Sequence, residues 1–341
     1  MTDEFQRLLE RLKALALQAN DAGPLGEKIR LAETALSLAT PRFRFAMMDR
    51  ALRELHQVAE TFAPHDHLRK VAIFGSARAR PDDPEYAMAE EIAAHFVVKG
   101  WIVITGGGPG IMAAAQKGAG AADSFGLRIL LPFENRVNET IQGDPKLLEF
   151  EYFFTRKLSF AWESNAFVLF PGGLGTLDES FEILTLMQTG KTPIVPVVML
   201  ERPGGRYWPS WHRFITEDLL RQGHVSAQDI NLFYISRDLN DALEHILHFY
   251  SNFHSYRWCG KRLEILIRHR LSDEAMERLN HDFSSLLTNE IIAQAPYAGT
   301  EVTPPCSSLH GLSLSPHERR FGELRRLIDA INSANRAHPS A

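Results

Sequence analysis

Residues Asn165–Glu182 read NAFVLFPGGLGTLDESFE. Ala166 to Phe170 is an apolar run of Val, Leu and Phe bounded by Asn165 and a Pro-Gly-Gly step, which predicts a buried parallel strand. Pro171, Gly172, Gly173 and Gly175 then predict a turn with positive φ and close backbone approach to a ligand. Thr176, followed by Asp178 and Glu179, predicts the first turn of a helix carrying Phe181, Leu184 and Leu186. A strand, a glycine turn and a helix N-terminus make an anion site, because free amides and the positive end of the helix dipole face whatever sits above the turn. Gly172, Gly173, Leu174, Gly175 and Thr176 are therefore expected to hold a phosphate without a lysine. The Glu179 carboxylate, in that first turn, is expected beside it and ionised.

Upstream, the same pattern recurs twice. Val71 to Phe74 predicts a strand that ends in Gly75-Ser76-Ala77-Arg78 and leads to a helix from about Tyr86 to Val98. Gly75 permits a close turn there, and Ser76 and Arg78 are candidate donors to a phosphate or ribose. No GxSxG surrounds Ser76, so a nucleophile elbow is not supported. Trp101 to Thr105 predicts the next strand, followed by Gly106-Gly107-Gly108-Pro109-Gly110 and an Ala-rich helix over Ile111–Gly118. Gly108-x-Gly110-x-x-Ala113, with Glu134 further on, loosely fits a dinucleotide fingerprint. The spacing of the three-glycine run, its place after the second strand and the unexplained PGGLGT all argue against that assignment.

Gly126 to Pro132 predicts a third strand, Asp144 to Phe153 a segment ending in aromatics, and Thr155 a cap for a helix whose first turn holds Arg156 and Lys157. Parallel strands of an open α/β sheet end on one edge, so Gly75, Gly106 to Gly110, Arg156 and Gly172 to Glu179 are expected to converge on one crevice. Two cations at a helix N-terminus oppose the dipole, which implies that Arg156 and Lys157 face something negative, either a phosphate or Glu179.

The remaining segments carry less chemistry. Gly190-Lys191-Thr192 precedes a strand, Ile194–Leu200, and reads as a helix-to-strand turn instead of a P-loop. Trp208–Leu220 and Leu239–Phe253 read as helices, with His245 and His248 on a packed or solvated face. Arg262–Arg270 reads as a strand, Ser272–Leu287 as a helix, Tyr297–Ser315 as a Pro/Ser loop and Phe321–Ile331 as a terminal helix. Phe5–Ala19, Ile29–Leu38 and Phe43–Phe62 have helical spacing. His65, Asp66 and His67 lie in a linker with no partner motif and read as solvated loop, not a metal site.

The 341 residues carry 45% apolar and 23% charged side chains and a net charge of -5. That balance fits a globular protein with a large core and leaves no basic nucleic-acid footprint. Cys259 and Cys306, far apart and without a CxxC, suggest neither a zinc site nor a disulfide framework. With no signal-peptide pattern and no apolar run of transmembrane length, a cytoplasmic location is expected. The fold expected is α/β, a Rossmann-like doubly wound parallel sheet: a helical N-terminal segment over 1–68, the nucleotide-binding catalytic domain over 69–255 and a small C-terminal extension over 256–341.

Phe153-Phe154-Thr155-Arg156-Lys157 and Pro171–Glu179, together with Gly106–Met112, resemble the paired signatures of the LOG ("Lonely Guy") family of nucleoside 5'-monophosphate phosphoribohydrolases, in one of its longer bacterial forms. The resemblance covers roughly Arg69 to Tyr250. It implies catalysis by Arg156 and Glu179, a 5'-phosphate held by the PGGLGT turn, AMP or a cytokinin-type N6-modified AMP as substrate, no cofactor or metal, and a homodimer or larger assembly. Phe154 stands where the plant-type pattern has His, so different contacts to the base or ribose are expected and the resemblance does not by itself imply cytokinin specificity. A nucleotide or molybdenum-cofactor carrier of the same fold is the alternative, distinguished by needing no catalytic pair. A pyridoxal-phosphate lysine decarboxylase would need a Schiff-base lysine, for which Lys157 beside Arg156 is a poor candidate.

Overall fold

A computed structural model describes residues 42–133, 136–288, 291–297 and 309–334. The helices expected over Phe5–Ala19 and Ile29–Leu38 lie outside the described residues, as do Glu134 and Cys306. The expected helix over Phe43–Phe62 is α1 (Arg42–Phe62), and its Arg53 bonds Asp49 one turn away. Gln57–Ala341 is a compact unit and holds everything described below.

Seven short runs, β1 (Lys70–Phe74), β2 (Ile102–Thr105), β3 (Ser124–Ile129), β4 (Leu147–Phe150), β5 (Ala166–Leu169), β6 (Val197–Leu200) and β7 (Tyr234–Ser236), form one parallel sheet ordered β4-β3-β2-β1-β5-β6-β7. Between them run α2 (Pro84–Val98), α3 (Ile111–Ala119), α4 (Phe153–Glu163), α5 (Leu174–Gln188) and α6 (Tyr207–Phe214), with α7 (Leu239–Phe249) after β7. The period of two along β1 sends Val71 and Ile73 into one core with Ile92 and Phe96 of α2, and Ala72 and Phe74 into another with Phe160 of α4 and Ile183 of α5. Helices cover both faces, which is why β1 and β5 are buried at every position.

This order positions the site. The chain moves outward from β1 to β4, then returns to place β5 on the other side of β1. Connections leaving the ends of β1 and β5 therefore diverge to opposite sides and open a crevice at the carboxyl edge.

The C-terminal part is a second, antiparallel sheet ordered β10-β11-β9-β8, built from β8 (Phe253–Cys259), β9 (Arg262–Ile267), β10 (Ala293–Pro296) and β11 (His310–Leu314). With α8 (Asp273–Asp282) and α9 (Phe321–Ser333) it encloses a core that includes Ile265, Leu312, Leu327 and Phe249 of α7. Asn332 joins it to the preceding helix by accepting from the amides of Asn252 and Phe253 and donating to Phe249 O.

Several expected boundaries shift. The helix expected through Phe253 stops at Phe249, because Phe253 already pairs with Ile267. The expected loop over Tyr297–Ser315 contains β11, whose five residues pair with Leu263–Ile267 despite their Gly and Ser. The helix expected through Leu220 passes into π-helical bonding at Ile215–Leu220. His65 packs edge-on against Phe125 and His245 stacks on Tyr234, so both are packing residues.

Candidate functional site

The three glycine-bearing strand ends meet through their backbones. Ser76 N donates to Pro171 O at 3.0 Å, and Ile111 N donates to Ser76 O at 3.1 Å. Gly107 and Gly110 take φ of 71° and 70°, and a Cβ on Gly110 would stand 2.2 Å from Ser76 O, so a side chain fits there neither conformationally nor sterically. A Cβ on Gly75 would strike the Ile111 side chain. Asn138, which sequence reasoning missed, holds the loop from behind: its amide donates to Gly107 O and its Nδ2 to Gly108 O.

The turn after β5 differs from expectation in its backbone. None of Gly172, Gly173 and Gly175 has positive φ; Gly173 is the N-cap of α5 at φ -88° and ψ -159°. Close packing explains Gly172 instead, since an added Cβ would lie 2.1 Å from Thr176 Oγ1. Gly173 O accepts from the amides of Thr176 and Leu177, while Gly173, Leu174 and Gly175 are exposed at the helix start. That open start is the expected anion position, with α5 long enough to carry a terminal dipole. The helix begins at Leu174, so Glu179 is its sixth residue and sits in the second turn, not the first.

Cations therefore hold Glu179, not the helix terminus. Arg156 Nη2 donates to Glu179 Oε1 at 2.6 Å, and the two side chains are 11% and 8% exposed. Lys157 Nζ reaches Glu179 Oε2 at 3.4 Å but lies nearer to Asp178 at 2.9 Å and Glu182 at 2.5 Å. Both cations reach Glu179, one of the two negative partners expected for them. Lys157 thus contacts three carboxylates of α5. Helical spacing arranges the face, as Phe153, Arg156, Lys157 and Phe160 share one side of α4. The Arg156 guanidinium lies 5.5 Å from the Phe153 ring centroid and 5.6 Å from that of Phe160. It also faces Gly106, and its buried Nε has no hydrogen-bond partner among the described residues. Thr155 is not the cap of α4. Tyr152 is, and the Thr155 hydroxyl donates to Tyr152 O inside the first turn.

Burial sets the electrostatics. It pushes the Glu179 carboxyl above its ordinary value against the opposing charges of Arg156 and Lys157, and it lowers the Arg156 guanidinium. Burial also acts to lower Lys157, but hydrogen bonds to Glu182 and Asp178 raise it overall. The result is a desolvated carboxylate with one oxygen on a guanidinium, suited to oppose positive charge developing nearby. Two further groups border the site. The Tyr207 hydroxyl donates to Gly172 O at 2.7 Å, and Phe154, half-exposed, stacks on Tyr152 at 5.6 Å. A cleft of about 680 Å³ lies elsewhere, by the edge strand β7, and the Asp241 carboxylate lining it is occupied by the hydroxyls of Tyr234 and Ser236. The buried Arg156–Glu179 pair, and not this cleft, is the candidate site.

Comparison with known proteins finds similarity over this part of the chain. A family model described as "Possible lysine decarboxylase" matches residues 110–246. The cytokinin riboside 5'-monophosphate phosphoribohydrolase of Mycobacterium tuberculosis is 28% identical over 160 residues, 46% of this chain and 82% of the relative. The protein of the same name from Mycobacterium marinum is 27% identical over 179 residues, 51% of this chain and 91% of the relative. Among solved structures, the molybdenum cofactor carrier protein of Chlamydomonas reinhardtii aligns at 21% identity over 53% of this chain and 98% of that chain, with a TM-score of 0.36. The molybdenum cofactor binding protein of Rippkaea orientalis aligns at 21% identity over 53% of this chain and 94% of that chain, also with a TM-score of 0.36. The similarity to the LOG family read from Arg156 and the glycine turn is thus present at the level of sequence. Among the described residues, no helix is long and apolar enough to cross a membrane.

Proposed function

We propose that this chain hydrolyses the N-glycosidic bond of a nucleoside 5'-monophosphate, AMP or an N6-modified AMP, to free base and ribose 5-phosphate. The observation that carries this reading is the buried Arg156–Glu179 pair beside Gly106 and the exposed start of α5. Breaking that bond places positive charge on the ribose ring, which a desolvated carboxylate stabilises while it orients the attacking water. Glu179 takes that role. Arg156 holds Glu179 and interacts with the phosphate or the departing base; its high pKa makes it a poor proton donor. Gly75, Ser76, Gly106, Gly107, Gly108, Gly110 and Gly172 to Thr176 form the nucleotide cradle, with phosphate on the open amides of α5.

Amine chemistry on Lys157 fits poorly. A Schiff-base lysine needs a lowered pKa, and the Lys157 ammonium, paired with three carboxylates, is raised. The test is to incubate the purified protein with a panel of nucleoside monophosphates and assay free base and ribose 5-phosphate. AMP should be turned over and adenosine, lacking the anchoring phosphate, should be a poor substrate. Binding of AMP with no base released from any nucleotide defeats the proposal and leaves a carrier.

A further inference from the structure

The carbonyl of Gly172 is held across 35 residues of sequence by the Tyr207 hydroxyl, at 2.7 Å. Tyr207 opens α6, and a buried carboxylate fixes it there. Glu201, 1% exposed and next after β6, accepts from the Tyr207 amide at 2.9 Å and from the Trp208 amide at 3.4 Å through Oε2. The fully buried Trp208 adds a bond from Nε1 to Leu200 O at 3.3 Å. Glu201 thus anchors the helix start, the helix start aims the phenol, and the phenol holds the glycine turn.

The peptide joining Gly172 and Gly173 is the part of the turn that most needs such a restraint. In a planar trans peptide the C=O and N–H point in opposite directions, so a Gly172 carbonyl turned toward Tyr207 directs the Gly173 N–H away from it. Glycine on both sides makes rotation of that peptide inexpensive. The other end of the turn is already tied by Ser76 N to Pro171 O. Rotation would replace a donor with a carbonyl acceptor at the place where an anion is to bind.

We propose that Tyr207 is a positioning residue that sets the direction of the Gly172–Gly173 peptide and so presents the Gly173 N–H to the phosphate monoester at the start of α5. This rests on the reading of that turn as the 5'-phosphate site. Burial raises the Tyr207 hydroxyl above its ordinary value, which keeps it a proton donor throughout the neutral range.

Tyr207→Phe removes the hydroxyl and keeps the ring. Ribose 5-phosphate, which has no base left to lose, serves as the probe in calorimetric titration of wild type and variant, with thermal unfolding and turnover of AMP and adenosine measured alongside. The expected result is binding weaker by about tenfold, the size of one lost charge-assisted hydrogen bond. KM for AMP should rise in proportion, with kcat, adenosine turnover and melting temperature little changed. Equal binding in the two proteins overturns the inference, and so does an equal loss of AMP and adenosine turnover, which would mark general disruption. A wild type that binds ribose 5-phosphate in a Tyr207-dependent way yet releases no base overturns the hydrolase reading and sustains this one. A wild type that does not bind ribose 5-phosphate overturns both.

Discussion

Arg156 Nη2 stands 2.6 Å from Glu179 Oε1, joining the first turn of α4 to the second turn of α5 across the crevice beside β1. Isolated ion pairs buried to this degree add little net stability, because desolvation of both charges offsets their attraction. Lys157 extends the pair into a cluster with Asp178 and Glu182, and the role proposed for the pair is toward a ligand.

Glu179→Gln tests this directly. The amide keeps the shape and still accepts from Arg156 through its oxygen, but the charge that opposes a ribosyl cation is gone. Turnover of AMP should fall by about a hundredfold or more, with ribose 5-phosphate binding retained because the start of α5 is untouched. Steady-state kinetics beside a binding titration read both quantities, and a variant with wild-type kcat would remove Glu179 from the chemistry.

The pH profile follows from the same burial. In the proposed reaction Glu179 works as its carboxylate, and desolvation pushes its pKa above the ordinary 4.5, so activity should be lost as pH falls through that raised value. The acid limb of kcat/KM should therefore lie above pH 4.5. An acid limb at or below that point would mean that the ion pairs to Arg156 and Lys157 outweigh burial.

The strand ends and their convergence were legible because the runs at β1, β2 and β5 stop at a glycine or a Pro-Gly step, and parallel strands share an edge. The cation pair at 156 and 157 also announced a negative partner, since it opposes its own helix dipole. Other features were not legible. Thr176 resembles a cap in sequence, yet Gly173 caps α5, which moved Glu179 one turn inward and exchanged a dipole for Arg156 as the source of its stabilisation. Tyr207 carries no signal, because its partner is a backbone carbonyl 35 residues away. β11 was hidden by Gly311 and Ser313, whose strand conformation comes from pairing with β9 and not from local preference.

The two glycines of the turn should respond oppositely to alanine. At Gly172 the new methyl meets Thr176 Oγ1 at 2.1 Å and the Gly75 backbone at 3.1 Å, so Gly172→Ala should cost about 1–3 kcal/mol by overpacking. At Gly173 the backbone already suits an L-residue and an added methyl has nothing within 4 Å. Gly173→Ala should stay within about 0.5 kcal/mol of wild type. Urea unfolding of the pair decides it, and equal losses would show that Gly173 has a conformational requirement.

Assembly is expected to be a homodimer or larger. The rings of Phe153 and Phe154 and the Leu174 side chain are exposed apolar groups of the kind a second copy covers. Light scattering at micromolar concentration should give at least twice the monomer mass of 38.5 kDa, and a monomer would leave these side chains to the ligand alone.

Acid sensitivity of the fold should centre on His245. Its ring stacks on Tyr234 at 4.0 Å and its Nε2 lies 3.0 Å from the Arg325 guanidinium, a donor, so only the neutral imidazole can accept that bond. Burial first, then the Arg325 charge, push its pKa from 6.5 down to about 4. A depressed histidine contributes its full stabilisation above pH 6.5, loses it as pH falls toward about 4, and changes no further below that. The drop across the whole window is about 3.5 kcal/mol at most, since a tenfold difference in proton affinity between the folded and unfolded chain corresponds to roughly 1.4 kcal/mol. Urea unfolding of wild type and His245→Phe at pH 7 and pH 4.5 isolates the contribution from that of titrating carboxylates, which both proteins share. Wild type should lose roughly 2–3 kcal/mol more than the variant between the two conditions. Parallel losses in the two proteins would mean that the imidazole protonates in place, with Arg325 moving aside to solvent.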